Sequence, residues 1–278
     1  MNQLLIFLDG KIIKANRSLI ENLSPGVVTG QGVFETMRSY RGQVFALDRH
    51  LIRLYRGLKV CEIKISYSKK ELSKFIDQVL ASNRLKEARV RLSVWHDQDK
   101  QHVAIVCQNL SLQKRNIYRQ GFLVKTYSKK INPEKLINIK SIRYDPFLKA
   151  GLEAKQKGCD ESVLIDSKGR VIEGARTNIF FVKDNVLYTP ALSVKCLNGI
   201  TRRLVIECAK KLMIPIKEVG VQLADLYSAD EVFLTNSILE IMPASVLEGH
   251  RFNQGIVGPL TKRLQKTYQQ LVKKSLSK

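Results

Sequence analysis

No apolar run in this sequence approaches the roughly 20 residues that cross a bilayer as a helix, so no membrane span is expected. The opening stretch, MNQLLIFLDGK, has a short apolar patch but neither a basic leader nor a small-residue cleavage site. A cytoplasmic protein is therefore expected. Cysteines are few: Cys61, Cys107, Cys159, Cys196 and Cys208, with no C-x-x-C pair among them. An odd, dispersed set argues against a disulfide framework. The four histidines (His50, His96, His102, His250) never stand beside the cysteines at metal-ligand spacing. Reduced thiols and no structural metal are expected. There is no internal repeat and no low-complexity segment.

Acid is also scarce, with 25 Asp and Glu against 47 Lys and Arg, for a net charge of +22. Such a charge can serve nucleic-acid binding. Here the basic residues run along the whole length, and no helix-turn-helix, zinc-finger or RNP-type signature accompanies them. A solvated basic surface, attractive to a small anionic substrate, is the expectation; a nucleic-acid partner is not.

What is present is a chain of 278 residues, 44% of them hydrophobic, enough for one large domain or two medium ones. Leu5 and Phe7 alternate with Ile6 and Leu8 before Asp9-Gly10, a strand entering a turn. ALDRHLIRLYRGLK (46–59) sets Leu47, Leu51, Leu54 and Leu58 on one helical face. Ser68-x-x-Glu71 is a capping box opening a helix with Leu72, Phe75, Ile76 and Val79 inward. ARVRLSVW (88–95) alternates strictly: Val90, Leu92 and Val94 on one side, Arg89, Arg91 and Ser93 on the other. HVAIVCQ is its expected hairpin partner. NLSLQKRNIY loses all period, and the domain junction is placed there. Beyond it come the strand GFLVKTYS, a loop with Asn132-Pro133, and a helix from about Asp145 to Lys157. Two hairpins follow, turning at Asp166-Ser167-Lys168-Gly169 and at Asp184-Asn185. A helix from GITRR, the strand EVFLTNS and an amphipathic terminal helix complete a half in which strands should dominate.

Four segments and one arginine hold residues that are expensive where they stand. Lys140 lies in NIKS, in an apolar, strand-like setting; burial lowers a lysine's pKa and suits Schiff-base chemistry, although a lysine in so basic a chain can equally be a surface residue. Glu173 interrupts a strand end before Gly174, as an edge carboxylate beside a turn also would. Gly199-Ile200-Thr201 opens a helix whose free N–H groups suit an anion, or is a plain N-terminus capped by Asn198. Thr235, Asn236 and Ser237 cluster at a strand end. Arg53 sits on an apolar helix and offers a planar fork.

Together, GQGVFETMRSYRGQVFALDRHLIRL, IKS-x-x-Y, GRVIEGARTNIFFV, TP, LNGITRR and TNSILEIMP, in that order and spacing, resemble the class IV aminotransferase and aminodeoxychorismate lyase family of fold-type IV pyridoxal 5'-phosphate (PLP) enzymes. The resemblance covers almost the whole chain. It implies an α+β, two-domain homodimer: a small N-terminal α/β domain (1–115) and a larger, strand-rich C-terminal PLP-binding domain (116–278). It further implies that Lys140 carries the cofactor and moves protons, and that Glu173 keeps the pyridine nitrogen protonated, making the ring an electron sink. Arg53, the Ile200 and Thr201 backbone, Asn236 and Ser237 match the phosphate cradle. Leu197 matches the side chain against the ring, and Phe34 and Tyr144 match pocket-lining positions. Two departures touch the substrate side: Arg143 where the family often has Asn, and Gly30-Gln31-Gly32 where Gly-Asp-Gly is common.

Within the family, TNSILEIMP, GVFETMR, ARVRL and NGITRR resemble bacterial lyases more than aminotransferases, which usually carry Gly-Thr or Ser-Thr at that strand end. The resemblance thus implies a lyase converting 4-amino-4-deoxychorismate to 4-aminobenzoate and pyruvate for folate synthesis, with a branched-chain or D-amino-acid aminotransferase as the alternative. Arg89, Arg91 and Arg143 are candidate partners for substrate carboxylates; for the first two, a solvated strand face is an equal reading.

Overall fold

The structure is a computed structural model describing residues 4–24, 27–28, 30–97, 100–110, 115–132, 139–143 and 145–277, so Pro133 and Tyr144 lie outside the described residues. The chain divides into two compact units, Met1–Ser111 with Ile139–Tyr144 and Lys274–Lys278, and Leu112–Asn138 with Asp145–Lys273. A single boundary near residue 115 would put 139–144 in the second part; the fold groups it with the first.

The first unit runs β1 (Leu4–Leu8), β2 (Lys11–Ala15), α1 (Arg17–Asn22), β3 (Gln31–Tyr40), β4 (Gln43–Val44), α2 (Leu47–Val60), α3 (Lys69–Ser82), β5 (Ala88–Asp97) and β6 (Lys100–Asn109). Its six-stranded sheet has the order β2-β1-β6-β5-β3-β4. Asp9 and Gly10, both at positive φ, turn β1 back onto β2. Leu51, Leu54 and Leu58 of α2 are buried at helical spacing, as that periodicity requires. Helix α3 starts at the expected box, with Ser68 and Glu71 capping each other's backbone. Both helices join one core with Val33, Met37, Val90, Leu92, Val94 and Ile105 of the sheet.

The second side of β5, which the alternation left open between a solvated face and partners for a substrate, is solvated only in part: Arg89 is exposed, while Arg91 is 7% exposed and Ser93 1%. The cause is a second layer, in which Phe34, Trp95, Ala104 and Val106 pack with Leu19 and Ile20 of α1. Arg91 Nη2 donates to the Ile20 carbonyl at 3.2 Å, so the guanidinium is buried with one backbone partner on α1. Burial, with help from the Arg89 charge, pulls the Arg91 pKa down to about 10.

The second unit runs α4 (Arg115–Gln120), β7 (Phe122–Thr126), α5 (Asp145–Gln156), β8 (Glu161–Ile165), β9 (Val171–Gly174), β10 (Asn178–Lys183), β11 (Val186–Pro190), α6 (Ile200–Lys211), β12 (Ile216–Val219), α7 (Leu223–Tyr227), β13 (Glu231–Asn236), β14 (Glu240–Leu247), β15 (His250–Arg251) and α8 (Pro259–Ser275). A nine-stranded sheet follows the order β12-β11-β10-β13-β14-β7-β8-β9, with β15 on β14. Asp184 and Asn185 both have positive φ (51° and 60°), the two-residue hairpin turn their side chains tolerate. Among the described residues this half holds nine strands and the helices α4 to α8, two more helices than the three expected there. No helix among the described residues is long and apolar enough to cross a membrane.

Candidate active site

Lys140 belongs to the first unit and is held there by its neighbours' backbone. Phe34 N donates to the Lys140 carbonyl (2.9 Å), Ile142 N donates to the Gly32 carbonyl (3.0 Å), and Val33 and Ser141 form an antiparallel bridge. The segment 140–142 thus runs along the start of β3 as a tertiary pairing, not as the strand its composition suggested. The side chain is half-buried, not fully buried. Its Nζ stands 4.5 Å from the centre of the Phe34 ring, a cation–π contact.

Because side chains alternate across a strand, Glu35 points away from Phe34, to the face covered by α2. There it is 1% exposed among apolar residues and meets two partners from that helix. Arg53 donates through Nε (2.7 Å) and Nη2 (2.6 Å) to the two carboxylate oxygens, and His50 Nδ1 lies 2.7 Å from Oε2. Burial by itself would push the Glu35 carboxyl up; the Arg53 guanidinium and His50 outweigh it and hold it down to about 2. Burial lowers the His50 pKa, and the Arg53 and Lys140 charges add to that against the pull of Glu35. The resting state is therefore an ionised Glu35 paired with Arg53, with neutral His50 donating its Nδ1–H.

That assignment makes a pH prediction. Both groups have folded pKa values below their unfolded ones, so their stabilisation is complete above about 6.5 and lost as the pH falls. His50 weakens the fold first, below its ordinary value of 6.5, and Glu35 between 4.5 and about 2. The urea midpoint should fall from pH 7 to pH 4.5, and fall less in His50→Gln, which has no group to protonate. Equal slopes for the two proteins would contradict the assignment.

In the second unit Glu173, on β9, is 6% exposed. Leu197 N donates to its Oε1 (3.0 Å) and Asn178 Nδ2 to its Oε2 (3.1 Å). Of the two readings open to it, an edge carboxylate beside a turn and a buried acceptor, its surroundings match the second: it is an interior carboxylate tied at both oxygens. Two residues beyond Leu197 the chain enters α6. The cap of that helix is Gly199, not Asn198, and it has no side chain to bond the first N–H groups. Ile200 and Thr201 are buried at this first turn. Asn236 ends β13 with its Oδ1 accepting from Ile238 N (2.9 Å) and Leu239 N (2.7 Å), and its Nδ2 donating to the Arg176 carbonyl (3.1 Å). Ser237 is half-buried beside it. Arg143 is exposed and reaches the Gly30 carbonyl at 3.3 Å.

Each unit by itself holds groups that suit part of a phosphorylated, protonated pyridine aldehyde: the first has the part-buried amine of Lys140, and the second has Glu173, a buried acceptor for a ring N–H, and the backbone N–H groups that open α6 for a phosphate. The partners Glu35, His50 and Asn178 were not foreseen. Only Glu35 left a trace, a carboxylate on a strand face otherwise built from Val33 and Met37.

The family model for amino-transferase class IV matches residues 32–247. A Methanocaldococcus jannaschii protein provisionally named branched-chain-amino-acid aminotransferase is 34% identical over 96% of this chain and 96% of its own. The Bacillus subtilis aminodeoxychorismate lyase is 31% identical over 97% of this chain and 95% of its own. A T.th. branched-chain amino acid aminotransferase, solved with pyridoxamine 5'-phosphate, superposes with a TM-score of 0.88 at 29% identity, covering 98% of this chain and 95% of that one.

Proposed function

The chain belongs to the class IV aminotransferase family and is a PLP-dependent enzyme, and from that premise we propose that it is a lyase converting 4-amino-4-deoxychorismate to 4-aminobenzoate and pyruvate. The observation that carries this reading is the strand end at Asn236. Its side chain takes up the N–H groups of Ile238 and Leu239. That strand end lies in TNSILEIMP, the segment that resembles bacterial lyases, and the Bacillus subtilis relative that is a lyase supports the same reading.

When bound, PLP supplies an aldehyde that condenses with the substrate amine and a protonated ring that accepts an electron pair. The residues then divide the work. Lys140 would hold the cofactor, and its freed Nζ, beside the Phe34 ring, would be the base for the proton on the amine-bearing ring carbon. Glu173 would accept the ring N–H through a carboxylate oriented by Leu197 N and Asn178. The α6 N–H groups at Ile200 and Thr201, with Ser237 and Arg53, would serve the phosphate; Asn236 would shape the strand end beside Ser237, and Glu35 fixes the plane of the Arg53 fork. In the substrate, the bond from ring carbon to the enolpyruvyl oxygen breaks as the proton leaves. The enolpyruvyl oxygen leaves with the bonding pair as an enolate, which takes one proton on its terminal carbon to become pyruvate, and the substrate ring becomes aromatic.

A branched-chain or D-amino-acid aminotransferase is the second reading, favoured by the names of the Methanocaldococcus jannaschii relative and the T.th. structure. One protein sample separates the two. The lyase reading predicts equal amounts of 4-aminobenzoate and pyruvate from aminodeoxychorismate with no 2-oxo acid added. Leucine or D-alanine alone bleaching the visible absorbance, its return on adding 2-oxoglutarate, and no 4-aminobenzoate would establish the aminotransferase instead.

A further inference from the structure

We propose that Asn178 is the positioning residue for Glu173, setting the carboxylate, the Leu197 backbone and the start of α6 in one arrangement. The inference rests on the reading that Glu173 accepts the N–H of the cofactor ring. Asn178 opens β10 and is 6% exposed. Its Nδ2 donates twice, to Glu173 Oε2 at 3.1 Å and to the Leu197 carbonyl at 2.8 Å. Both neighbours are acceptors, so the amide can face them only with its nitrogen. Leu197 N returns to Glu173 Oε1 at 3.0 Å and closes a ring of three hydrogen bonds among three residues. Within this ring the carboxylate cannot rotate without breaking a bond to a backbone N–H or to the amide.

The other end of the same amide reaches α6. A Cβ added to Gly199 would sit 2.1 Å from Asn178 Oδ1 and 3.3 Å from its Cγ. Gly199 has φ −61° and ψ 144°, which any residue adopts, so its backbone does not call for glycine. The space does: Asn178 occupies it. Gly199 N also donates to the Leu197 carbonyl at 2.8 Å, the atom that Asn178 Nδ2 holds from the other side. One side chain therefore touches the acid that addresses the ring nitrogen, the residue that flanks the ring, and the cap of the helix assigned to the phosphate. Both hydrogen bonds on Glu173 favour its ionised form, and an ionised Glu173 is what holds a proton on the ring nitrogen.

The test uses holoenzyme loaded with PLP labelled with 15N in the ring, comparing wild type, E173Q, N178A and N178L. N178L keeps the approximate volume of the side chain, adds no charge and loses both donors, which covers the case that N178A does not fold. The ring 15N shift should report a protonated nitrogen in wild type and a lost or weakened proton in all three variants. A hydrogen bond to a charged group is worth about tenfold or more. PLP affinity should accordingly fall about tenfold in the Asn178 variants. Their kcat should fall by a similar factor, with KM moving less. In the PLP-free protein, G199A should lower the melting temperature far more with Asn178 present than in N178A. An unchanged 15N shift in E173Q would sink the underlying reading of Glu173. A changed shift in E173Q, with wild-type shift and affinity in both Asn178 variants, would overturn the proposal alone.

Discussion

Lys140→Ala should fold normally and lose about 10⁴-fold or more in turnover. Lys140 is assigned two tasks, covalent attachment of the cofactor and movement of the proton, and positioned proton transfer alone contributes on the order of 10²–10⁴-fold. The fold should survive because the bonds anchoring the segment are backbone bonds: Phe34 N to the Lys140 carbonyl and Ile142 N to the Gly32 carbonyl. The cation–π contact with Phe34 is worth only about 0.5–1 kcal/mol at a partly exposed site. A small primary amine added to the buffer should restore part of the rate by supplying a base where Nζ stood. Single-turnover kinetics beside a melting curve would check both halves. Turnover within tenfold of wild type would show that another group performs the proton transfer.

Glu173→Gln carries the second large effect, on the order of 100-fold or more in kcat, the usual loss when a group stabilising developing charge is removed. PLP should stay bound, since Lys140 and the α6 N–H groups remain. The substitution also meets a local conflict. Leu197 N and Asn178 Nδ2 are both donors, and a carboxylate accepts from both. Glutamine brings one acceptor and one donor to the same two partners, so one hydrogen bond becomes a donor facing a donor. That costs about 1–3 kcal/mol and should appear as a lowered melting temperature before any substrate is added. Near-normal turnover in this variant would mean that Glu173 does not face the ring nitrogen.

Much of the architecture could be read from local pattern, and the reason is the same in each case. Leu51, Leu54 and Leu58 mark one face of α2, Ser68 and Glu71 cap α3, and Asp184-Asn185 turns β10 into β11. Each signal and its partner lie within a few residues. The reading failed where the partner is distant. The polar side of β5 looks solvated until α1, some 70 residues earlier in the chain, lies over it and buries Arg91. Lys140 looks like part of a strand because Ile139 and Ile142 flank it, yet its pairing is with β3, more than 100 residues away. Glu35, His50 and Arg53 are one cluster only once a strand and a helix meet. Asn178 gave no sign at all: an asparagine before NIFFV is an ordinary strand opening until Glu173, Leu197 and Gly199 gather around its amide. Motif resemblance supplied Lys140 and Glu173, and physical pattern alone would not have separated them from surface residues.

The central claim is that Lys140 carries the cofactor. The purified protein, supplied with PLP, should absorb visible light. Borohydride treatment should then fix one pyridoxyl group per chain, recovered after digestion on the peptide containing Lys140 and absent from Lys140→Ala. A label on any other lysine, or a protein that takes up no PLP, would contradict the account at its root.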